Sequence, residues 1–270
     1  MGDRSTGPLR TAVSALYLAA LYGFIFLPVV ILVLYSFQDG RFPIPPFEGP
    51  SLRWYGAVFD DGKLVAALLN SLSVALLSSA VACLLGFAAA YGLARHALPA
   101  SALQRALITA PLTVSYLIIG LGLLISFNAL GVSRSLLTVG IGHVVINTPL
   151  CFAIVYSQMG AHHVNIERAA RDLGARDWQV MALVTAPMLA PAILAAFLLS
   201  VTFSWDEFII AFLLSRFDVT LPVEIWSLLR SGLNPKTNAV GSVVFLISIL
   251  AILVLELTVF ARRPKGGPKP

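Results

Sequence analysis

Long runs of apolar residues alternate with short polar stretches along nearly the whole chain. Six runs are long enough, at about 20 residues or more, to cross the hydrocarbon core of a bilayer as helices. They cover residues 12–37, 65–94, 106–130, 136–159, 182–214 and 239–261. The pattern predicts an all-α membrane protein with six transmembrane helices.

The fifth run is too long for one straight crossing of the membrane. Its 33 residues would extend roughly 50 Å as a single helix, against a hydrocarbon core of about 30 Å. Asp206 and Glu207 interrupt the run near its end, and Pro187 and Pro191 stand near its start. We therefore expect this helix to break, to tilt strongly, or to leave the membrane near the acidic pair.

The composition agrees with a lipid-embedded chain. Hydrophobic residues make up 58% of the 270 positions and charged residues only 11%, whereas an ordinary soluble domain is roughly 25% charged. The mean hydropathy is +0.88. These values exclude a disordered chain and a nucleic-acid-binding domain, despite the net charge of +5.

The positive charge is informative through its position. Eleven Lys and Arg residues fall in the two termini and the even-numbered loops, and seven fall in the longer loops on the other side. Because cytoplasmic loops are enriched in these residues, both termini are expected in the cytoplasm. The chain then divides into a cytoplasmic segment 1–11, a six-helix transmembrane domain 12–261 and a cytoplasmic tail 262–270. The excess charge needs no nucleic acid partner.

The most polar inner segment lies between the fourth and fifth runs. Glu167 and Arg171 stand four residues apart, as do Arg168 and Asp172, which predicts a short helix stabilised by ion pairs along its surface. Gly174 is placed to end this helix in a left-handed conformation. A surface helix of this kind is suited to docking into a cleft of another protein.

The spacing of the small residues in this segment carries a family resemblance. Ala169, Ala170, Gly174 and Pro187 resemble the signature loop of the integral permease subunits of binding-protein-dependent ATP-binding-cassette (ABC) importers. In that family the loop has Glu-Ala-Ala, three residues, Gly and later Leu-Pro. The resemblance identifies residues 161–180 as the loop that couples the permease to its ATPase.

The match has departures, and it extends beyond the loop. Arg168 stands where the family usually has Glu, with Glu167 adjacent, and Ala186 replaces the usual Leu. The stretches 204–212 and 220–223 resemble the spermidine/putrescine branch of the family. The departures leave the docking role intact and put in doubt any specific contact made by the family's Glu.

The resemblance implies the fold of a type I ABC importer permease and a place in the bacterial cytoplasmic membrane. It also implies three kinds of partner besides the lipid bilayer: a different second permease subunit, a dimer of ABC ATPase subunits that bind ATP and Mg²⁺, and an extracytoplasmic solute-binding protein. This chain then needs no cofactor. The residues assigned to ATPase coupling are Glu167, Arg168, Ala169, Ala170, Asp172 and Gly174.

The acidic pair has two interpretations. Both carboxylates could lie among headgroups at the outer surface, or at least one faces a water-filled path and attracts an organic ammonium group. Trp205 and Phe208 flank the pair and offer cation–π contacts, so we favour the second interpretation. The predicted substrate path is Trp205, Asp206, Glu207 and Phe208. The solute is then an organic cation or amine-bearing compound, with polyamines, opines and aminophosphonates left open.

Two other function classes remain to be weighed. An autonomous secondary transporter or channel for organic cations would have no need of an ATPase-docking loop. A membrane-embedded hydrolase would need a nucleophile and a base together, yet the sequence has no Gly-x-Ser-x-Gly motif and places no acidic residue near His143. No Gly-x-x-x-x-Gly-Lys-Ser/Thr motif is present either, so we expect a transport subunit without its own ATPase site. His162 and His163 lack companions at metal-binding spacing, and no metal site is predicted.

Overall fold

A computed structural model describes residues 8–232 and 234–260 of the chain. All regular elements of this described part are helical: α1 (Pro8–Ser36), α2 (Arg53–Phe59), α3 (Gly62–Arg95), α4 (Ser101–Thr109), α5 (Tyr116–Ala129), α6 (Leu136–Gln158), α7 (Ala161–Asp172), α8 (Asp177–Gln179), α9 (Ala186–Met188), α10 (Ala190–Asp206), α11 (Ile209–Leu214), α12 (Leu221–Ser231) and α13 (Pro235–Phe260). A 3₁₀ turn (Ala110–Thr113) follows α4, and a π-helical segment (Val180–Thr185) joins α8 to α9. The predicted tail 262–270 and the first seven residues of the predicted N-terminal segment lie outside the described residues.

Four of the six apolar runs correspond to single helices. Helices α1, α3 and α6 are each long and apolar enough to cross a membrane. Helix α13 is 26 residues long and covers the sixth run. The remaining two runs are bent pairs of helices.

The apolar pattern had predicted a single helix for the third run, and this prediction was wrong. The segment from Ser101 to Thr113 and helix α5 meet at an angle of 104°. Pro111 lies in the 3₁₀ turn, and the backbone of Val114 is extended. The Oγ atom of Ser115 then accepts a hydrogen bond from the N–H of Leu117 at the start of α5. A proline without an N–H followed by a serine cap ends one helix and starts another.

The break expected in the fifth run is confirmed, and it occurs in two places. The segment from Asp177 to Met188 meets α10 at an angle of 75°, with Leu189 between them. The chain breaks again after α10, where Glu207 is extended before the short helix α11 begins.

The described parts of Met1–Asp61 and Ser227–Ile247 form one compact unit. Its loop after α1 is held by Gln38, whose side chain donates one hydrogen bond to backbone and accepts another from it. The Nζ atom of Lys236 lies 2.6 Å from a carboxylate oxygen of Asp61.

The described parts of Gly62–Trp226 and Ser248–Pro270 form a second unit, which contains every candidate site residue. Its core lies where α3, α6 and α10 pack together. A Cβ atom on Gly86 would lie 2.7 Å from both the Cβ of Cys151 and the backbone nitrogen of Phe152. Only glycine allows α3 and α6 to approach this closely.

Candidate functional site

Helix α7 forms most of the loop that the family resemblance singled out. It begins after Gly160, whose backbone is extended, and it ends before Gly174, which has φ of +92°. The N–H of Gly174 donates to the carbonyl of Arg171, and the N–H of Ala175 donates to the carbonyl of Ala170. This pair of bonds is a Schellman motif, which requires a left-handed residue at the glycine position. The predicted left-handed end at Gly174 is confirmed.

Glu167 is tied to two other elements of the second unit. Its side chain is 0% exposed, and its Oε2 atom lies 2.6 Å from the Nε of Arg95 at the end of α3. Its Oε1 atom accepts a hydrogen bond of 2.9 Å from the hydroxyl of Thr185, the last residue of the π-helical segment. The expected ion pair with Arg171 is therefore wrong, because Glu167 points inward, away from the helix surface.

Arg171 has other partners. Its Nε atom lies 3.0 Å from a carboxylate oxygen of Asp177, and one terminal nitrogen donates to the hydroxyl of Tyr91. The hydrogen bond to Asp177 raises the pKa of Arg171 above its usual range. Within the described residues no ion pair joins Arg168 to Asp172, contrary to the spacing argument. Glu167 and Arg171 therefore connect α7 to the rest of the unit instead of to each other.

The opposite side of the loop is open. We call this the loop surface, and its exposed residues are Arg168, Ala169, Asp172, Leu173, Gly174 and Trp178. Leu173 is 90% exposed and Trp178 is 58% exposed. Large apolar side chains that protrude from a charged loop are typical of protein–protein contacts. Ala170 is half-buried beside this surface.

The acidic pair is split by the break between α10 and α11. Trp205 and Asp206 end α10, and Glu207 and Phe208 lead into α11. Asp206 is exposed, whereas Glu207 is buried. The two neighbouring carboxylates therefore have different surroundings and different possible roles.

Glu207 caps α11 from within the protein. Its Oε1 accepts from the N–H of Ile209 at 2.9 Å, and its Oε2 accepts from the N–H groups of Ile210 and Ala211 at 2.9 and 3.2 Å. A carboxylate at a helix N-terminus satisfies otherwise unpaired N–H groups and interacts favourably with the helix dipole. This use was not anticipated from the sequence, and it leaves Asp206 as the exposed carboxylate of the pair.

The two aromatic residues beside the pair also differ. The ring of Phe208 stacks on Phe212, with centroids 5.4 Å apart, and lies 5.9 Å from the ring of Trp226. Trp205 is half-buried, and its Nε1 is buried without a hydrogen-bond partner among the described residues. Phe208 thus belongs to an aromatic cluster that supports the start of α11.

His143 is a site residue that the sequence did not identify. It is 0% exposed, with Nδ1 at 2.5 Å from the Oγ of Ser204 and Nε2 at 3.6 Å from Oε2 of Glu207. The conclusion that His143 lacks an acidic partner was wrong, because the partner lies on a distant helix. A serine, a histidine and a carboxylate placed next to one another resemble the catalytic triad of a hydrolase. Here, however, the Ser204 hydroxyl is buried beside Ser78, and the Glu207 carboxylate accepts hydrogen bonds from the N–H groups at the start of α11. The serine is not presented to a substrate.

Comparisons with known proteins give the chain its relatives. No protein-family model matches it. The putrescine transport system permease protein PotI of Escherichia coli (strain K12) is 36% identical over 234 residues, which are 83% of each chain. The spermidine/putrescine transport system permease protein PotC of the same strain is 26% identical over 242 residues, 89% of this chain and 91% of PotC.

Solved structures with similar folds are ABC transporters. A bacterial ABC transporter involved in the import of the acidic polysaccharide alginate matches with a TM-score of 0.71 at 18% identity, over 98% of this chain and 99% of that one. The MetNI methionine ABC transporter in an inward-facing conformation matches with a TM-score of 0.60 at 16% identity, over 74% and 96% of the two chains.

The fold is therefore that of a type I ABC importer permease, a multi-pass membrane subunit of a transport system. The 36% identity to PotI over 83% of each chain assigns this chain to one family of such permeases. The chain belongs to the spermidine/putrescine-type family of ABC importer permease subunits.

Proposed function

We propose that this chain forms half of the translocation path of an ATP-driven importer for a polyamine or another amine-bearing solute. The other half comes from a second, different permease, and a pair of ATPase subunits docks on the loop surface. An extracytoplasmic binding protein delivers the solute. The chain lies in the bacterial cytoplasmic membrane with both termini inside, and ATP and Mg²⁺ are bound by the ATPase, since the sequence contains no nucleotide-binding loop.

The observation that carries the coupling role is the double attachment of Glu167. One carboxylate oxygen contacts Arg95 on α3, and the other contacts Thr185 at the start of the bent fifth span. A displacement of α7 by the ATPase would therefore be passed to two spans at once. Thr185 is also the last residue of a π-helical segment. Such segments are rare in proteins, and those that occur often lie at functional sites.

The proposal for the substrate rests on two observations. The relatives PotI and PotC are named as putrescine and spermidine/putrescine permeases, and Asp206 is an exposed carboxylate at the break in the fifth span. The alginate transporter has a similar fold and handles an anion, so the fold alone does not select the charge of the solute. The cationic substrate is argued from Asp206 and the relatives together.

Site-directed crosslinking tests the docking role of the loop surface. A cysteine at position 169, which is exposed on α7, should crosslink to the ATPase subunit and react with thiol reagents only from the cytoplasmic side. Leu130, exposed at the end of α5 on the other predicted side, provides the matched control, since a cysteine there should react only from outside. Reaction of position 169 from outside the cell would overturn both the topology and the docking proposal.

A further inference from the structure

Four buried polar side chains form a continuous array beside the break in the fifth span. The Oγ of Ser78 on α3 lies 3.2 Å from the Oγ of Ser204 on α10, which lies 2.5 Å from Nδ1 of His143 on α6. Nε2 of His143 faces Oε2 of Glu207 at 3.6 Å. We call these four residues the polar array. It joins three spans and the cap of α11.

The chemistry of Glu207 fixes the direction of the hydrogen bonds in the array. Nε2 lies beyond hydrogen-bond distance of Oε2 and has no hydrogen-bond partner among the described residues, so its contact with Glu207 is electrostatic. A proton on Nε2 faces the carboxylate favourably, and Nδ1 is then the acceptor of the neutral ring. Ser204 must therefore donate its hydroxyl proton to Nδ1, and its oxygen accepts from Ser78. The positions of the partners assign this tautomer.

Helix α6 contacts α11 at both of its ends. At the start of α11, His143 faces the carboxylate that caps the helix; at its end, the Thr138 hydroxyl donates to the carbonyl of Leu214 at 2.9 Å. Between these two points, a Cβ atom on Gly142 would collide with the Cγ2 of Ile210. The close approach at Gly142 places the imidazole against the cap and leaves it little room to move.

A buried histidine inside a membrane-spanning helix is costly, and within the described residues only the Glu207 carboxylate lies near Nε2 of His143 to offset this cost. An apolar residue would fill the space as well. The His143 ring contacts Ser204 in the last turn of α10 and Glu207 just after that helix ends. These two contacts hold the two sides of the break in a fixed relative position. Trp205 and Asp206 lie between these two attachments, and Asp206 is exposed.

We propose that His143 is a positioning residue of the translocation path, which fixes the turn between α10 and α11 and thereby directs the Asp206 carboxylate outward from the protein. The geometric part of this statement stands on the polar array alone. The assignment of Asp206 to the solute path rests on the proposed function.

Thiol labelling at position 206 tests the geometric part without any assumption about the solute. Asp206→Cys is introduced into the full chain in its complex and labelled with a membrane-impermeant maleimide. The native cysteines, Cys83 and Cys151, are buried, so the chain with Asp206 intact provides the blank. The rate of labelling measures how far position 206 is exposed.

The substitutions separate the two ring nitrogens. His143→Gln keeps a donor where Nε2 faces Glu207, whereas His143→Asn keeps a polar group only near Nδ1 and Ser204. We expect His143→Asn to slow labelling roughly fivefold, the change in population given by the loss of one polar contact to a carboxylate. His143→Gln loses the contact with Ser204 but keeps the one with Glu207, so we expect it to slow labelling less than His143→Asn.

A matched control is Thr148→Val on the same helix, because among the described residues the Thr148 hydroxyl bonds only to the carbonyl of Val144 one turn away. The labelling rate of this variant should equal that of the parent. Ser204→Ala removes the partner of Nδ1 and should also slow labelling, and it decides the question if His143→Asn fails to accumulate. Equal labelling rates in Ser204→Ala, His143→Asn and the parent would overturn the proposal.

Uptake measurements then separate the positioning role from the proposed function. In chains that keep Asp206, His143→Asn should raise the KM for the delivered putrescine and lower the uptake rate, while His143→Gln should change both less. If labelling changes as expected but putrescine uptake does not, His143 positions the break and the cationic path is wrong. If both stay at the parental level, the positioning role is itself refuted.

Discussion

Removing the carboxylate of Glu167 is the perturbation with the most specific expected consequence. Glu167→Gln keeps the size of the side chain and its contact with the Thr185 hydroxyl, but it leaves the Arg95 guanidinium without its anionic partner. The Arg95 side chain is only 6% exposed, and its Nη2 is already buried without a hydrogen-bond partner among the described residues. The guanidinium has little access to water as a substitute.

The size of the effect follows from burial. An exposed ion pair contributes about 0–1 kcal/mol, whereas the loss of one partner from a buried pair typically costs about 3–5 kcal/mol because an uncompensated charge remains. With both side chains buried, the second range applies to Glu167→Gln and to Glu167→Ala. Asp172→Asn removes an exposed carboxylate from the same helix, and we expect a change of less than about 0.5 kcal/mol for it.

Two assays on the purified complex measure this. Thermal unfolding in detergent should show a large loss of stability for Glu167→Gln and almost none for Asp172→Asn. A chain with both Arg95→Glu and Glu167→Arg should be more stable than the sum of the two single substitutions predicts, because the ion pair is restored with its charges reversed. The double-mutant cycle should then give a coupling energy above about 1 kcal/mol. In proteoliposomes, Glu167→Gln should hydrolyse more ATP for each solute imported. Additive effects in the cycle, or unchanged stability and ATP use in Glu167→Gln, would refute the reasoning.

Three further outcomes are expected. Gly174→Val should cost about 1–2 kcal/mol through its left-handed backbone and raise ATP use per solute imported. Gly160→Thr, at an ordinary φ of −82° and an N-cap position where threonine is as acceptable as glycine, should do neither; equal effects would contradict the role of the Schellman end. Asp206→Asn should lower putrescine uptake about tenfold at normal complex yield and unchanged binding-protein affinity, whereas Glu207→Gln should lower the yield itself, because it weakens the cap of α11; the reverse pattern would refute the division of roles. Gly86→Ala should destabilise the complex by about 1–3 kcal/mol in thermal unfolding, since its Cβ meets backbone of α6, and parental stability would contradict the tight packing.

Local patterns in the sequence were enough to predict much of the fold. The apolar runs predicted helices α1, α3, α6 and α13 closely, because helix length and bilayer thickness are directly linked. The length of the fifth run predicted that it breaks. The bend in the third run was missed although Pro111 and Ser115 carry its signal, since a hydropathy window averages over both residues.

The contacts of the site were less accessible from sequence. Spacing within α7 suggested that Glu167 pairs with Arg171, but the actual partner, Arg95, is 72 residues away. A local ion pair and a tertiary one compete for the same carboxylate, and burial of Glu167 decides in favour of the tertiary one. In the same way, nothing near His143 in the sequence indicates Glu207, which reaches it only because the chain breaks after α10.

The central claim is that this chain imports a solute only as part of an ATP-driven complex. The most direct measurement is uptake of labelled putrescine into proteoliposomes that contain the chain, its partner permease, the ATPase and the binding protein, with each component omitted in turn. We predict uptake that requires ATP and stops when any one component is left out. Uptake by the isolated chain, driven by an ion gradient without ATP, would contradict the claim and favour an autonomous carrier.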